Sequence, residues 1–254
     1  MRVLALELLI PVSLMVGLVL AVECGYRLGG RRSRGSDAAK AMETGAIQGA
    51  MLGLLGLLLG FSFAGAAGRF MERQDLITTE ANAISTAYLR TDLLGDPHAS
   101  DLRGALTAYV AHRVEASARL QTGLSREDMA RVREYHAEIW SIARAGVADR
   151  PGMTNAIVGP VNAVIDLHAT RMAAGRKHLP GLVIGLLLLC SVLTLGVIGY
   201  ASGMSRRRSA MMTTMIAMLI SAALWTTFDL DHPRIGLIRL SDLALQELDL
   251  RPVP

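Results

Sequence analysis

The sequence predicts an all-α membrane protein, with four transmembrane helices and a stacked layer of helices outside the bilayer. Three observations predict it. Four apolar runs, 3–22, 45–68, 179–201 and 210–228, are long enough to cross a hydrocarbon core of about 30 Å as helices. Hydrophobic residues make 52% of the 254, and the mean hydropathy is positive. The long polar stretch between the second and third runs carries apolar residues at helical spacing and no β-rich run. In lipid, the backbone polar groups of a lone segment are satisfied only within a helix, so all four runs are read as helices.

Composition narrows the function classes. The formal net charge is +4 and almost entirely arginine; Lys40 and Lys177 are the only lysines. Many arginines flank the spans, where they act as topology signals, so nucleic acid is not inferred as a partner. Cys24 and Cys190 are too few for a disulfide framework or a cysteine zinc site, and read as unpaired small apolar residues. The first run is not read as a secretory signal. Its apolar core is long, only Arg2 precedes it, and no small-x-small cleavage site follows. Glu23 before Cys24 argues against a lipoprotein, and Arg27, Arg31, Arg32 and Arg34 form a stop-transfer flank.

Residues 1–68 form a first transmembrane hairpin. Glu7 lies within its first helix, and an acid there is a functional candidate unless it snorkels to water. The second helix carries Gly45, Gly49, Gly53, Gly56 and Gly60, which at 100° per residue share about 80° of arc. A face so bare is either a close-packing surface between helices or the border of a conduit. Ile77, Ala81, Ile84 and Tyr88 keep the 3–4 spacing, so this helix is predicted to run on beyond the membrane.

Residues 69–178 form the extramembrane helical segment. Gly95-Asp96-Pro97 breaks the long helix, and Ser100 or Asp101 is placed to cap the next. Gly123 ends that helix. Ser125, followed by Glu127 and Asp128, opens another. Pro151-Gly152 turns the chain, and Pro160 starts or kinks a helix leading to the third span. Residues 179–228 form the second hairpin. In the tail, 229–254, Asp229, Asp231 and Pro233 stop the fourth span, 235–240 lies extended, and Ser241-Asp242 caps a short amphipathic helix. That helix needs a partner for its leucines, either a neighbouring subunit or the helical layer, and the domain reading packs the tail on the layer. The short loops share one side of the membrane. Arginine density in them favours the cytoplasm only weakly, because equal numbers flank the opposite ends.

Chemistry was sought in the usual patterns. The histidines at 98, 112, 136, 168, 178 and 232 show no metal-ligand spacing, and no phosphate loop or nucleophile elbow is present. The reading is therefore of no enzyme, no cofactor and no metal. Asp229 and Asp231 alone are poor calcium ligands, and helix termination is their expected role.

Three places resemble the bestrophins, an anion-channel family, and more closely the bacterial bestrophin-like proteins. Leu59-Gly60-Phe61, seven residues, then Arg69-Phe70 matches the Leu-Gly-Phe pattern with its exit arginine and aromatic. Glu72, Arg73 and Asp75 through Glu80-Ala81-Asn82-Ala83 look like the bestrophin-like subgroup. Leu230-Asp231-His232-Pro233 and Gly236, then Asp242-Leu243, resemble the family's Asp-Pro-Phe-Gly segment and following Asp-Leu. Span order and loop lengths agree.

The resemblance implies a multi-pass protein of the bacterial inner membrane, assembled as a homo-pentamer in lipid around a pore lined by the second helix. Small inorganic anions are the implied permeant species. The apolar neck carries over to Phe61, Leu57 and Gly53, with Arg69 and Arg73 as charge at the pore mouth. Gly45, Gly49, Gly56 and Gly60 remain a helix-packing face. Asp229, Asp231, Pro233 and Gly236 carry the tail motif. Gly53 departs from the family, which has a bulky residue there, and the calcium-binding acidic run is missing. The resemblance also places the long segment in the cytoplasm, opposite to the short-loop charges, so orientation stays open. The alternative from another class is a membrane-anchored helical sensor or scaffold binding a ligand or partner through residues 69–178.

Overall fold

The computed structural model describes residues 2–32, 38–119, 125–148, 150–205, 210–233, 236–248 and 250; the side chains of 2–8, 32, 38–43, 118 and 119 fall outside that description. Gly123, Ile235, most short-loop cations and the Glu7 side chain therefore lie outside the described residues. The chain is all-helical, with no strand among the described residues. The helices are α1 (Arg2–Arg32), α2 (Ala38–Arg90), α3 (His98–Arg119), α4 (Arg126–Ala148), α5 (Thr154–Gly175), α6 (Gly181–Met204), α7 (Ala210–Asp231) and α8 (Leu243–Gln246). They form two compact units: Met1–Gly68 with His178–Ile238, and Arg69–Lys177 with Arg239–Pro254.

The first unit holds four helices long and apolar enough to cross a membrane, in α1, α2, α6 and α7. Its core is small: Leu18, Leu55, Leu187, Leu195, Ile198, Ala217, Ile220 and Leu224. Leu182, Met211 and Leu219 stand exposed, which suits lipid and would be costly in water. The most intimate pair is α1 with α6. Gly25 and Gly29 face the backbone of Gly196 and Tyr200, while Gly199 and Gly203 face that of Val22 and Tyr26. A Cβ at Gly25 or Gly199 would fall inside the contact distance of a facing carbonyl oxygen. Two Gly-x-x-x-Gly motifs, Gly25–Gly29 and Gly199–Gly203, thus make a backbone-to-backbone seam.

The second unit packs α3, α4 and α5 with the outer part of α2 around Ile77, Ile84, Leu102, Leu106, Tyr109, Ile139 and Val164. The long polar stretch is helical as its spacing predicts, and α2 is one helix of 53 residues. Ser125 caps α4 through a capping box: its Oγ accepts from the Asp128 amide at 3.0 Å, and Asp128 Oδ2 accepts from the Ser125 amide at 3.0 Å. One boundary differs from expectation: Ser100 and Asp101 lie inside α3, which begins at His98 directly after Pro97. Pro160, expected to start or kink a helix, does not start one; it lies inside α5, which begins at Thr154 after a 3₁₀ turn over Pro151–Met153.

The tail divides at Ile238, its first part belonging to the first unit. Asp242 stands before α8 but makes no capping hydrogen bond. Leu240, Ala244, Leu245, Leu248 and Leu250 join the core of the helical layer, so these tail residues find their partner within this chain, while Leu243 stands exposed.

Gly199→Ala should push α1 and α6 apart and cost about 1–3 kcal/mol, as overpacking does. Gly17→Ala, on a stretch of α1 with nothing near, is the control. Thermal unfolding in detergent measures both. Equal midpoints for the two variants would show that the glycine seam contributes nothing.

Candidate functional site

Two constellations stand out, one on the membrane part of α2 and one buried in the helical layer. The inward face of α2 in the first unit is Leu55, Ser62 and Ala66, all buried, with Leu58 and Leu59 packed beside them. At 100° per residue, Gly53, Leu57 and Phe61 fall roughly 120–160° away from Leu55. Leu57 is 56% exposed and Phe61 70% exposed, so the described residues leave most of both side chains uncovered. No atom approaches within 4 Å of where a Cβ would stand at Gly45, Gly49, Gly53, Gly56 or Gly60. Within one chain, close helix packing is therefore made by the glycines of α1 and α6, which the sequence reading did not single out. The glycine face of α2 is left outward.

Arg69 and Arg73 follow the apolar part of α2. Arg73 is buried, and its guanidinium donates from Nε to the Ala174 carbonyl at 3.2 Å and from Nη2 to that of Lys177. The Ala174 carbonyl lies in the last turn of α5 and that of Lys177 just beyond it, so Arg73 caps a helix C-terminus, where a cation also suits the dipole. Its expected place as a pore-mouth charge thus meets a structural role. Arg69 is half-buried.

The tail motif is a backbone anchor. Asp229 accepts from the amides of Leu237 at 2.9 Å and Ile238 at 2.8 Å, and a Cβ at Gly236 would strike its carboxylate. Asp231 accepts from the Leu179 amide at 2.9 Å, holding the entry to α6 against the end of α7. Pro233 is buried just beyond. The same place brings His178 and His232 together beside Asp231, a proximity invisible in the spacing of histidines along the chain.

The buried cluster centres on Glu80 of α2, which is fully buried. Oε1 accepts from the Tyr109 hydroxyl at 2.8 Å; Oε2 accepts from Arg113 at 3.3 Å and Arg171 at 2.6 Å. Arg171 also donates to Asp242 at 3.1 Å. Two guanidiniums thus face two carboxylates, and α2, α3, α5 and the tail are joined by charge-assisted bonds. Gln74 adds a two-point clasp, donating to the Ser241 carbonyl at 2.8 Å and accepting from its amide at 2.9 Å.

Aromatic and imidazole rings close the cluster. His136 stacks edge-on against His168 at 5.1 Å and lies 5.2 Å from the Tyr109 ring. Burial, with the neighbouring Glu80 charge, pushes the Tyr109 phenol well above its usual range, so it remains a donor. Burial first, then the facing His168, pushes His136 down to about 4. Its Nε2 is buried without a hydrogen bond. Sequence reading missed this cluster. Glu80 was noticed only as part of a resemblance, and its partners are scattered over three further segments.

A four-span helical protein with a polar helical layer, an outward apolar-and-glycine face on a very long second helix and an Asp-anchored tail defines the class: a multi-pass membrane protein. A family model described as Bestrophin-like domain matches residues 12–245, nearly the whole chain. The chain belongs to the bestrophin-like family. No curated protein and no solved structure matches it.

Glu80→Gln would leave the buried Arg113 guanidinium without its carboxylate and Arg171 with Asp242 alone. The expected loss is about 3–5 kcal/mol, typical of breaking a buried pair from one side, read as a lower thermal midpoint. An unchanged midpoint would remove the cluster's structural role. His136 gives a pH prediction. Its folded value, about 4, lies below the ordinary 6.5. Between these values the unfolded chain binds the extra proton, so acidification through that window destabilises the fold. Denaturant midpoints from pH 7 to pH 4 should therefore fall, and His136→Asn should flatten the slope.

Proposed function

We propose that the chain is one subunit of a homo-oligomeric ion pathway, pentameric as in the bestrophins it resembles, with α2 lining the axis and anions passing in preference to cations. The observation that carries the reading is the outward face of α2. One side of this helix is packed on its own subunit. The opposite side presents Phe61 and Leu57 largely exposed and Gly53 with nothing within 4 Å of a Cβ position among the described residues. A ring of Phe61 and a ring of Leu57 form an apolar constriction that gates by dewetting. Gly53 replaces a third ring with open space, so this neck is shorter than one built from three bulky residues. The flanking glycines let adjacent copies of α2 approach closely.

Charge at the exit falls to Arg69. A ring of such arginines raises the local anion concentration beyond the constriction. Arg73 supports the mouth differently, by holding the last carbonyls of α5. The protein acts in the membrane as a conduit and carries out no covalent chemistry.

The test is chloride flux from liposomes holding the purified protein, with particle symmetry read from electron micrographs of the same sample. Flux above empty liposomes and a five-fold particle are expected. A monomeric or dimeric particle, or no flux from a confirmed oligomer, would sink the proposal in favour of a membrane-anchored sensor. Phe61→Ala should change conductance or selectivity, because the residue is exposed in the subunit and its loss leaves the fold intact. Arg69→Gln should lower the anion-to-cation permeability ratio several-fold, and an unaltered reversal potential would remove the charge ring.

A further inference from the structure

Two imidazoles and one carboxylate converge where the chain enters α6 and leaves α7. His178 stands just ahead of Pro180, Asp231 is the last residue of α7, and His232 follows it. Nδ1 of His178 lies 3.5 Å from Asp231 Oδ2, and Nδ1 of His232 lies 3.8 Å from the same oxygen. The two rings stack in parallel, with centroids 4.5 Å apart and 5° between their planes. One ligand atom from each of the three residues fits within a mutual distance of 4.8 Å. The carboxylate is fully buried, while the imidazole side chains are 39% and 42% exposed. An ion therefore reaches the site from solvent and meets a fixed anionic floor.

We infer that His178, Asp231 and His232 form a binding site for a divalent cation of the zinc class. Zinc holds nitrogen and carboxylate ligands at about 2.0–2.2 Å, which in a tetrahedron sets neighbouring ligand atoms roughly 3.4 Å apart. The 3.5 and 3.8 Å separations to the carboxylate are close to that spacing, and the two stacked imidazoles, whose ligand atoms lie within 4.8 Å, converge on one ion by turning out of their parallel stack. Two imidazoles with one carboxylate are a borderline donor set, suited to zinc, nickel or copper; calcium and magnesium require more oxygens. Three protein ligands leave the fourth position to water.

The surroundings orient these ligands. The Leu179 amide donates to Asp231 Oδ2 at 2.9 Å. The Asp231 carbonyl lies 3.0 Å from His178 Nδ1, and the Phe228 carbonyl 3.3 Å from His232 Nδ1. These carbonyl contacts hold the two rings beside the carboxylate in the ion-free protein, and each is given up when its Nδ1 turns its lone pair to the ion. When Nδ1 ligates the ion, the imidazole proton resides on Nε2, and no other proton transfer is required. The bound ion staples the start of α6 to the end of α7, at the end of this helix pair away from its connecting loop. It is a site on the membrane unit that does not depend on α2 or on conduction.

The test uses the full-length, tag-free protein in detergent after chelator treatment, titrated with zinc chloride by calorimetry. One zinc per chain is expected, together with a raised thermal midpoint. His178→Ala and His232→Ala should each weaken binding more than about tenfold and abolish the thermal shift. His98→Ala, in the helical layer, should change neither. Calcium chloride should give no shift. Cobalt should produce the visible absorption of a four-coordinate nitrogen–oxygen site in the parent and lose it in both variants. Lack of saturable zinc binding, equal affinity in the parent and both variants, or displacement of zinc by equimolar calcium would each overturn the inference. Binding is read without flux, so failure here leaves the ion-pathway proposal untouched, and failed conduction leaves this site untouched.

Discussion

The Glu80 carboxylate is the constraint on which the helical layer depends. It sits at zero exposure among an otherwise apolar core, and its two oxygens are shared among a tyrosine and two arginines. An isolated buried charge would cost several kcal/mol, and a single arginine partner repays that only with good geometry and full satisfaction of the remaining sites. Here the second guanidinium also meets Asp242, so two carboxylates face two guanidiniums. The balance comes from four separate stretches of chain. Helices α2, α3 and α5 and the tail must therefore all be in register before any of these charges is satisfied.

The membrane unit solves the opposite problem. Lipid is as apolar as leucine, so helices there gain little by hiding hydrophobic side chains and associate through close backbone contact instead. The small core and exposed leucines and methionines follow from that. So does the glycine seam between α1 and α6. At the ends of α7 and α6, Asp229 and Asp231 receive the amides of irregular chain that no helix satisfies.

Much of this was legible beforehand, and unequally. The four spans and the continuation of α2 to Arg90 follow from apolar length and 3–4 spacing, which are local properties. The cap of α4 by Ser125 is local too. The seam is present in the sequence as Gly25–Gly29 and Gly199–Gly203, beside the larger glycine array on α2. The array on α2 and the paired motifs look alike in one dimension. Only the fold shows that one pair meets backbone and the other faces outward. Arg73 makes the same point: at the exit of a span it reads as mouth charge, yet its donors are taken by the end of a helix 100 residues on.

The sequence by itself determined the helices, their order, the membrane spans and, through three short motifs, the family. These depend on hydrophobic length, period and neighbouring residues. The tertiary structure alone decided which polar residues meet. Glu80 finds Tyr109, Arg113 and Arg171, and His178 finds His232 across 54 positions, because helices of fixed length bring distant residues to one level. No periodicity records that meeting, since each residue sits in a helix or turn that would look the same without its partner.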